Sequence, residues 1–229
     1  MPFFFYDPVS FVVLLPALVL AIYAQWKVSS TFRRYSEIRS STGYTGAQVA
    51  AELLRRNGIT NVKVEPIEGM LSDHYDPRQK VLRLSPEVYG SDSIAAIGVA
   101  AHEAGHALQD KQRYPALALR AAIVPLASFG TSAAWILFII GLITSSPRLM
   151  DLGILIFLGY VAFAIITLPV EFNASSRAVA QLTGHGLVLP QEAQGVRAVL
   201  NAAALTYVAA AAMAVLQLVR LILLRSSRD

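Results

Sequence analysis

The chain has 229 residues, of which 55% are hydrophobic and 15% are charged. A soluble domain carries about 25% charged residues, so this composition argues against an ordinary cytosolic globule and against a disordered protein. The absence of cysteine excludes a disulfide scaffold, a cysteine-ligated zinc site, an iron–sulfur cluster and a thiol nucleophile. The net charge of +4 is small and its basic residues are scattered, which disfavours nucleic-acid binding and suits a role in setting membrane topology.

Four stretches approach the length of about 20 apolar residues that a bilayer-spanning helix needs. They are residues 8–24, 121–143, 152–170 and 198–219. The first has no basic residue before it and no small-residue cleavage site after it, which indicates a retained span rather than a cleaved signal peptide. The last is rich in alanine, and two interpretations of it stay open: a fourth span, or a helix that does not cross fully.

Basic residues near span ends mark the cytoplasmic side of a membrane protein. None precedes the first predicted span, whereas four follow it closely: Lys27, Arg33, Arg34 and Arg39. The N-terminus is therefore predicted outside and residues 27–115 in the cytoplasm. A crossing fourth span would place three arginines outside, against this rule: Arg220, Arg225 and Arg228.

The polar segment 27–115 carries the patterns of a small folded domain. An amphipathic helix is predicted over residues 45–57 with Gly58 at its end, and a further helix over about residues 91–111. Alternating apolar residues predict two short strands, and a run rich in Asp and Pro predicts a turn-rich connection between them. The strands cover residues 61–67 and 80–84, and the connection covers residues 73–78.

Residues 102–106 read His-Glu-Ala-Gly-His within the second predicted helix. His102 and His106 are four residues apart, so both rings project from one face and can reach one Zn²⁺ at about 2.0–2.1 Å. Glu103 follows the first histidine, from where its carboxylate can act as general base on a water at the metal. Small residues around the motif, Gly105 among them, are expected to leave room for a metal and a substrate.

A catalytic zinc site needs a third protein ligand and an open position. Glu171 stands at the end of the third predicted span, and two spans separate it from His106, so the chain returns it to the same membrane face. Asp151 follows only one span and should face the other side. His185 and Glu192 lie on the correct side and remain alternatives to Glu171.

With these residues the chain resembles the YugP-type neutral zinc metallopeptidases of bacterial membranes. The resemblance covers most of the chain and is carried by residues 45–47, 69–77, 82–85, 99–109 and 168–175. It implies a membrane-bound zinc endopeptidase of the Glu-type zincin (gluzincin) class, with one Zn²⁺ per chain.

The family motif also implies a role for each site residue. His102 and His106 match the metal ligands, Glu103 the catalytic base, and Glu171 the third ligand. Related membrane zincins place an Asp that bonds a zinc histidine four positions after the ligand glutamate, and this chain departs from them by having Ser175 there.

The predicted fold class is mainly α: a polytopic α-helical membrane protein with a small α+β zincin-like catalytic domain containing the HExxH helix. Five segments are predicted in chain order. They are an N-terminal transmembrane helix (1–26), the cytoplasmic zincin-like domain (27–115), a transmembrane helical hairpin (116–170), a cytoplasmic segment with the third ligand (171–197), and a C-terminal helix with a basic tail (198–229).

The predicted reaction is peptide hydrolysis by a zinc-activated water, in which Glu103 takes the proton of that water and returns it to the leaving amine. A further donor should stabilise the oxyanion, and the candidates are His74, Tyr207 and Arg177. By analogy with zincins, the strand 80–84 is expected at a sheet edge, where it either binds extended substrate or is an ordinary edge.

Polar residues follow the motif directly, so the metal is expected near the membrane surface. The predicted location is the bacterial cytoplasmic (inner) membrane, as a multi-pass protein. The predicted partners are the lipid bilayer and a protein or peptide substrate, drawn from membrane or misfolded proteins, with no nucleic acid. Two alternatives remain: a catalytically silent zinc-binding membrane scaffold, and a transporter that uses the His/Glu cluster as a metal path. The intact Glu103 argues against the scaffold, and the position of the ligands near the surface argues against the transporter.

Overall fold

The computed structural model describes residues 8–69 and 72–227, and this part of the chain is mainly helical with one small sheet. The helices are α1 (Pro8–Ser36), α2 (Gly46–Arg56), α3 (Pro86–Tyr89), α4 (Ile94–Lys111), α5 (Pro115–Ile143), α6 (Pro147–Gly184) and α7 (Pro190–Ser226). The strands are β1 (Lys63–Pro66), β2 (His74–Asp76) and β3 (Val81–Leu84). Residues 70 and 71, which belong to one stretch of the family resemblance, lie outside the described residues.

The chain forms two compact units, which we call the hydrophobic unit and the sheet unit. The hydrophobic unit consists of Met1–Ala24, Ala118–Pro169 and Thr206–Asp229. The sheet unit consists of Gln25–Leu117 and Val170–Leu205. The sheet unit thus continues along α7 to Leu205, whereas the predicted last segment begins at residue 198.

Three described helices are long and apolar enough to cross a membrane: α1 from Val12, α6 and α7. The helix α7 therefore meets the length and composition of a span, which the sequence pattern had left open. The two parts of α5, Pro115–Pro125 and Ala127–Ile143, meet at 44° and qualify only together, which raises the number to four if the bent pair is one span. Pro125 explains the bend because proline lacks an N–H and clashes with the preceding turn.

The hydrophobic unit holds α5 and α6 close together through two glycines. A Cβ atom on Gly141 would lie 2.7 Å from the backbone nitrogen of Met150, and one on Gly153 would lie 2.8 Å from the carbonyl oxygen of Ala134. In the same unit, Arg225 Nε lies 2.8 Å from Asp151 Oδ1. This ion pair gives one of the C-terminal arginines a carboxylate partner at the start of α6.

The sheet has the order β1-β3-β2, with β1 parallel and β2 antiparallel to β3. The strand predicted over residues 80–84 is therefore central, and the expectation that it forms a sheet edge was wrong. The connection predicted over residues 73–78 contains β2, because His74–Asp76 pairs with β3 in a hairpin. The hairpin turns at Lys80, whose φ of 54° lies in the left-handed region, and the Asp76 carboxylate accepts hydrogen bonds from the backbone nitrogens of the turn.

The helix α2 forms where the sequence predicts one, and its N-terminus is closed by a capping box. Thr45 Oγ1 accepts from the backbone N–H of Gln48, while the Gln48 side chain accepts from the Thr45 N–H. The apolar face of α2 joins α4 and the sheet in one buried core. The helix α4 begins at Ile94, where Ser93 Oγ caps the Ala96 N–H, and its next residues are buried almost without interruption. The core therefore holds the histidine-bearing helix from several sides.

Candidate metal centre

The helix α4 places His102 and His106 one turn apart, facing the same direction. Their ring centroids are 4.7 Å apart and the rings are nearly perpendicular, at 86°. His106 is 8% exposed. Because α4 is fixed by the core on its other faces, the two rings have little freedom to separate.

The helix α6 brings Glu171 to these histidines from 65 residues after His106. The Glu171 carboxylate is 2% exposed, and its Oε2 lies 3.1 Å from His102 Nε2 and 3.6 Å from His106 Nε2. One ligand atom from each residue lies within 4.8 Å of the others. Tetrahedral ligands at about 2.0 Å from zinc are about 3.3 Å apart, so this spacing and this nitrogen and carboxylate donor set fit a zinc ion.

Gly105, between the two histidines, allows α6 to approach α4 at this point. A Cβ atom on Gly105 would lie 2.7 Å from the carbonyl oxygen of Ala174, one turn after Glu171. We expected the small residues of the motif to leave room for a metal and a substrate. Instead, the space beside Gly105 is filled by the backbone of α6, and this contact helps to place Glu171 near the histidines.

Glu103 follows His102 in the chain and is not one of the three possible ligands. It is 8% exposed, and within the described part of the chain it makes no hydrogen bond or ion pair. Burial lowers the pKa of His106, but the hydrogen bond to Glu171 and the negative charge of Glu103 outweigh this effect and raise it above its ordinary value. Glu103 is thus close enough to act electrostatically on this histidine, and its oxygens are available to a water.

Polar side chains contact the far side of each histidine ring. Ser175 Oγ, four residues after Glu171, lies 3.1 Å from His102 Nδ1. Gln109 Oε1 lies 2.9 Å from His106 Nδ1. Gln109 was not among the predicted site residues, although its position three residues after His106 puts it on the same side of the helix.

His74, one candidate for the oxyanion, has partners for both of its ring nitrogens. Its Nδ1 lies 2.7 Å from the carbonyl oxygen of Ser72, to which it donates because a carbonyl only accepts. Its Nε2 lies 3.5 Å from Nη1 of Arg83. Its role at the oxyanion stays a prediction.

The other two oxyanion candidates lie in different units. Arg177 belongs to the sheet unit, donates from Nε to Asn173 Oδ1 at 2.6 Å, and lies over the ring of Tyr114 with 5.9 Å to the centroid. Tyr207 belongs to α7 in the hydrophobic unit. Their roles also stay predictions.

The two alternatives to Glu171 have other partners. His185 Nε2 lies 3.0 Å from Gln181 Oε1. The Glu192 carboxylate accepts from the backbone N–H groups of Leu189 and Ser41, each at 2.7 Å. Among the residues that the structure describes, neither belongs to the group that could hold a metal.

A groove of about 320 Å³ lies between α6 and α7 within the sheet unit. Ser175, which contacts His102, forms part of its wall. Arg197 is its one charged lining residue, and it makes no hydrogen bond or ion pair with the residues described here. The groove is lined on the α6 side by Phe172, Ser175, Ser176, Val179 and Ala180 and on the α7 side by Arg197, Leu200 and Asn201.

Comparisons with known proteins also point to zinc. Residues 10–226 match the model of a family described as "Putative neutral zinc metallopeptidase". The chain is 49% identical over 208 residues to a protein of Bacillus subtilis (strain 168) named "Putative membrane protease YugP", covering 91% of this chain and 92% of the relative. No solved structure matches. Because the family match covers almost the whole chain, the resemblance seen in the sequence is confirmed, and the chain belongs to this family of neutral zinc metallopeptidases.

Proposed function

We propose that the protein is a membrane-bound zinc endopeptidase that hydrolyses peptide bonds of membrane or misfolded proteins at the cytoplasmic face. The observation that carries this proposal is the group of His102, His106 and Glu171, together with the Glu103 carboxylate, which acts electrostatically on His106 and makes no hydrogen bond or ion pair with the described residues. Zinc held by the three ligands would supply Lewis-acid chemistry toward a water and a peptide carbonyl.

Glu103 is the general base in this proposal. Its carboxylate takes the proton of the attacking water and delivers it to the leaving amine. The described residues occupy neither of its oxygens, so both keep lone pairs for this transfer. Its burial, at 8% exposure, would keep the proton transfer away from bulk water.

The first experiment measures zinc per chain by elemental analysis of the detergent-purified protein. We expect about one zinc in the wild type and a clear loss in Glu171→Ala, because removing one of three ligands leaves too few for a stable site. A wild type without metal after zinc has been supplied would overturn the proposal. Unchanged zinc in the variant would show that Glu171 is not a ligand.

The second experiment separates an enzyme from a silent zinc scaffold. Glu103→Gln keeps the shape of the side chain and removes the base, so cleavage of an unfolded protein substrate should fall at least about 100-fold while zinc content stays unchanged. Cleavage by this variant at the wild-type rate would rule out Glu103 as the base. A zinc-loaded wild type that cleaves no unfolded or membrane protein would favour the scaffold.

We further propose that the groove beside Ser175 receives part of the substrate chain. Asn201 lines it from α7 and is exposed, so Asn201→Trp should fill it and lower kcat/KM by at least about tenfold, a loss on the scale of a few contacts. Zinc content should not change. Asn201→Ala is the control and should retain activity, and full activity of the Trp variant would place the substrate elsewhere.

A further inference from the structure

Gln109 is the fully buried polar residue that joins the two ligand-bearing helices, with 0% exposure. From α4 its Nε2 donates to the carbonyl oxygen of Val170 at 2.8 Å and to Asn173 Oδ1 at 3.0 Å, both on α6. Its Oε1 faces His106 Nδ1 at 2.9 Å. All the hydrogen-bonding atoms of this amide therefore face the metal centre or the helix that carries Glu171.

Two neighbours fix which end of the amide faces His106. The carbonyl oxygen of Val170 can only accept, so the Gln109 atom beside it is the nitrogen. The Arg177 guanidinium can only donate, and it contacts the same Asn173 atom as Gln109 does, so that atom is the oxygen. Both constraints leave the Gln109 oxygen, a pure acceptor, facing His106.

The hydrogen on the His106 ring is fixed by the same reasoning. Because Gln109 Oε1 only accepts, His106 Nδ1 carries the hydrogen, and in the neutral ring Nε2 keeps its lone pair. This Nε2 is the nitrogen that lies 3.6 Å from Glu171 Oε2. The lone pair is thus directed into the group that could hold the metal.

The other histidine lacks such a constraint. His102 Nδ1 faces the hydroxyl of Ser175 at 3.1 Å, and a hydroxyl can either donate or accept. Ser175 therefore fits either tautomer of His102, whereas Gln109 fits only one tautomer of neutral His106.

We infer that Gln109 is a positioning residue of the metal centre, which holds His106 with its Nδ1 protonated and its Nε2 presented to zinc. This inference rests on the proposed function for the presence of zinc. Residues that hydrogen-bond a metal-bound histidine typically change metal affinity by 10–100-fold when they are removed.

The test compares the zinc affinity of two substitutions of similar size in the full chain in detergent, by competition with a chelating dye. Gln109→Met removes the acceptor and the donors, and it should bind zinc at least about tenfold more weakly than the wild type. Gln109→Glu loses the donors but keeps an oxygen that accepts from Nδ1–H, so its affinity should stay within about threefold of the wild type or exceed it. If Gln109 orients the ring, Gln109→Glu should bind zinc more tightly than Gln109→Met. If it only bridges the helices, both variants should lose affinity equally.

Gln181→Met is the matched control. Gln181 also contacts a histidine ring, at His185 Nε2, and accepts from Asn57 Nδ2 at 2.7 Å, but it lies outside the metal group. Its zinc affinity should equal that of the wild type, and far-UV circular dichroism should show native helix content in every variant.

Three results would overturn the inference. They are wild-type affinity in Gln109→Met, an equal loss in Gln109→Met and Gln109→Glu, and a loss of similar size in Gln181→Met. If Gln109→Met does not fold, Gln109→Glu decides alone, and a tenfold loss in it contradicts the inference. A wild type that binds no zinc would refute the proposed function and this inference together, whereas zinc binding that is insensitive to Gln109 refutes only the inference.

Discussion

At the scale of single residues, both the charges and the geometry of the candidate centre favour a bound cation. Glu103 and Glu171 are both buried, at 8% and 2% exposure, within reach of His106. Buried carboxylates are costly unless a positive group or a metal balances them. A divalent cation bound by the three ligands would balance both, which is a second physical reason why this set of residues suits zinc.

Tyr75 contacts a carboxylate at the C-terminal end of α4. Its hydroxyl donates to Asp110 Oδ2 at 2.6 Å, and Lys80 also pairs with this carboxylate. Burial first, and then the hydrogen bond to Asp110, raise the pKa of Tyr75 above its ordinary value. The bond therefore ties β2 to the end of the histidine-bearing helix.

Tyr75→Phe should lower stability by about 1 kcal/mol, which corresponds to about 2–4 °C in the midpoint of thermal unfolding. Because the pKa is raised in the folded state, this contribution is fully present below the unfolded-state pKa of about 10 and is lost as the pH rises further. Thermal unfolding in detergent at pH 7 to 11 measures the difference. Tyr89→Phe is the control, since the Tyr89 hydroxyl makes no hydrogen bond with the described residues, and an equal loss there would contradict the prediction.

At the scale of elements, the metal centre depends on how closely α4 and α6 approach. The two helices contact each other at Gly105 and Ala174, where no Cβ fits. A change of spacing at this contact moves Glu171 relative to the histidines, because the helices are rigid over one turn. The centre is therefore sensitive to a methyl group that touches no ligand.

Gly105→Ala should weaken zinc binding at least about tenfold, since a shift of one ligand is comparable to the loss of its supporting contacts. Gly98→Ala on the same helix is the matched control. Its Cβ would lie 3.4 Å from Val196 Cγ1, an ordinary contact, and alanine favours the helix by about 1 kcal/mol. Competition with a chelating dye measures the zinc affinity of both variants. Equal affinity in both would show that zinc binding does not need the close approach of α4 and α6.

The structure also shows which parts of the element pattern can be derived from sequence. The helix α2 has a period, a cap and an end signal in its own residues, so its bounds follow from local rules. The strand β2 has only three residues, and aspartate, which is unfavourable in strands, both precedes it and ends it. It forms because it pairs with β3. Gln109 is polar and is buried by contacts with α6. A helical pattern within α4 does not report these contacts, so they could not be predicted from it.

At the scale of the whole molecule, the division into two units is the main architectural fact. The hydrophobic unit contains the first parts of α1 and the last parts of α7, and the sheet unit contains the metal group. The sequence predicted the approximate position of every long helix from hydropathy, but not that α6 and α7 continue well past their apolar stretches. Polar helix ends are stabilised by packing in the sheet unit, which hydropathy does not report.

The orientation in the membrane can be tested directly because the chain has no cysteine. Arg78 and Ser145 are both exposed, the first in the β2–β3 turn and the second between α5 and α6. A membrane-impermeant maleimide should label Ser145→Cys in spheroplasts, and should label Arg78→Cys only after the membrane is permeabilised, since the basic residues after the first span predict a cytoplasmic sheet unit. The reverse pattern would place the metal centre on the outer side.

The long separation between the ligands has a consequence for the timing of synthesis. Both histidines leave the ribosome 65 residues or more before Glu171, with α5 and the first part of α6 made in between. A nascent chain that ends before residue 171 carries Glu103 and two of the three proposed ligands, but it lacks Glu171. If the proposed function holds, peptidase activity would begin only after α5 and the first part of α6 have been made, and this order of synthesis would protect the growing chain from premature cleavage.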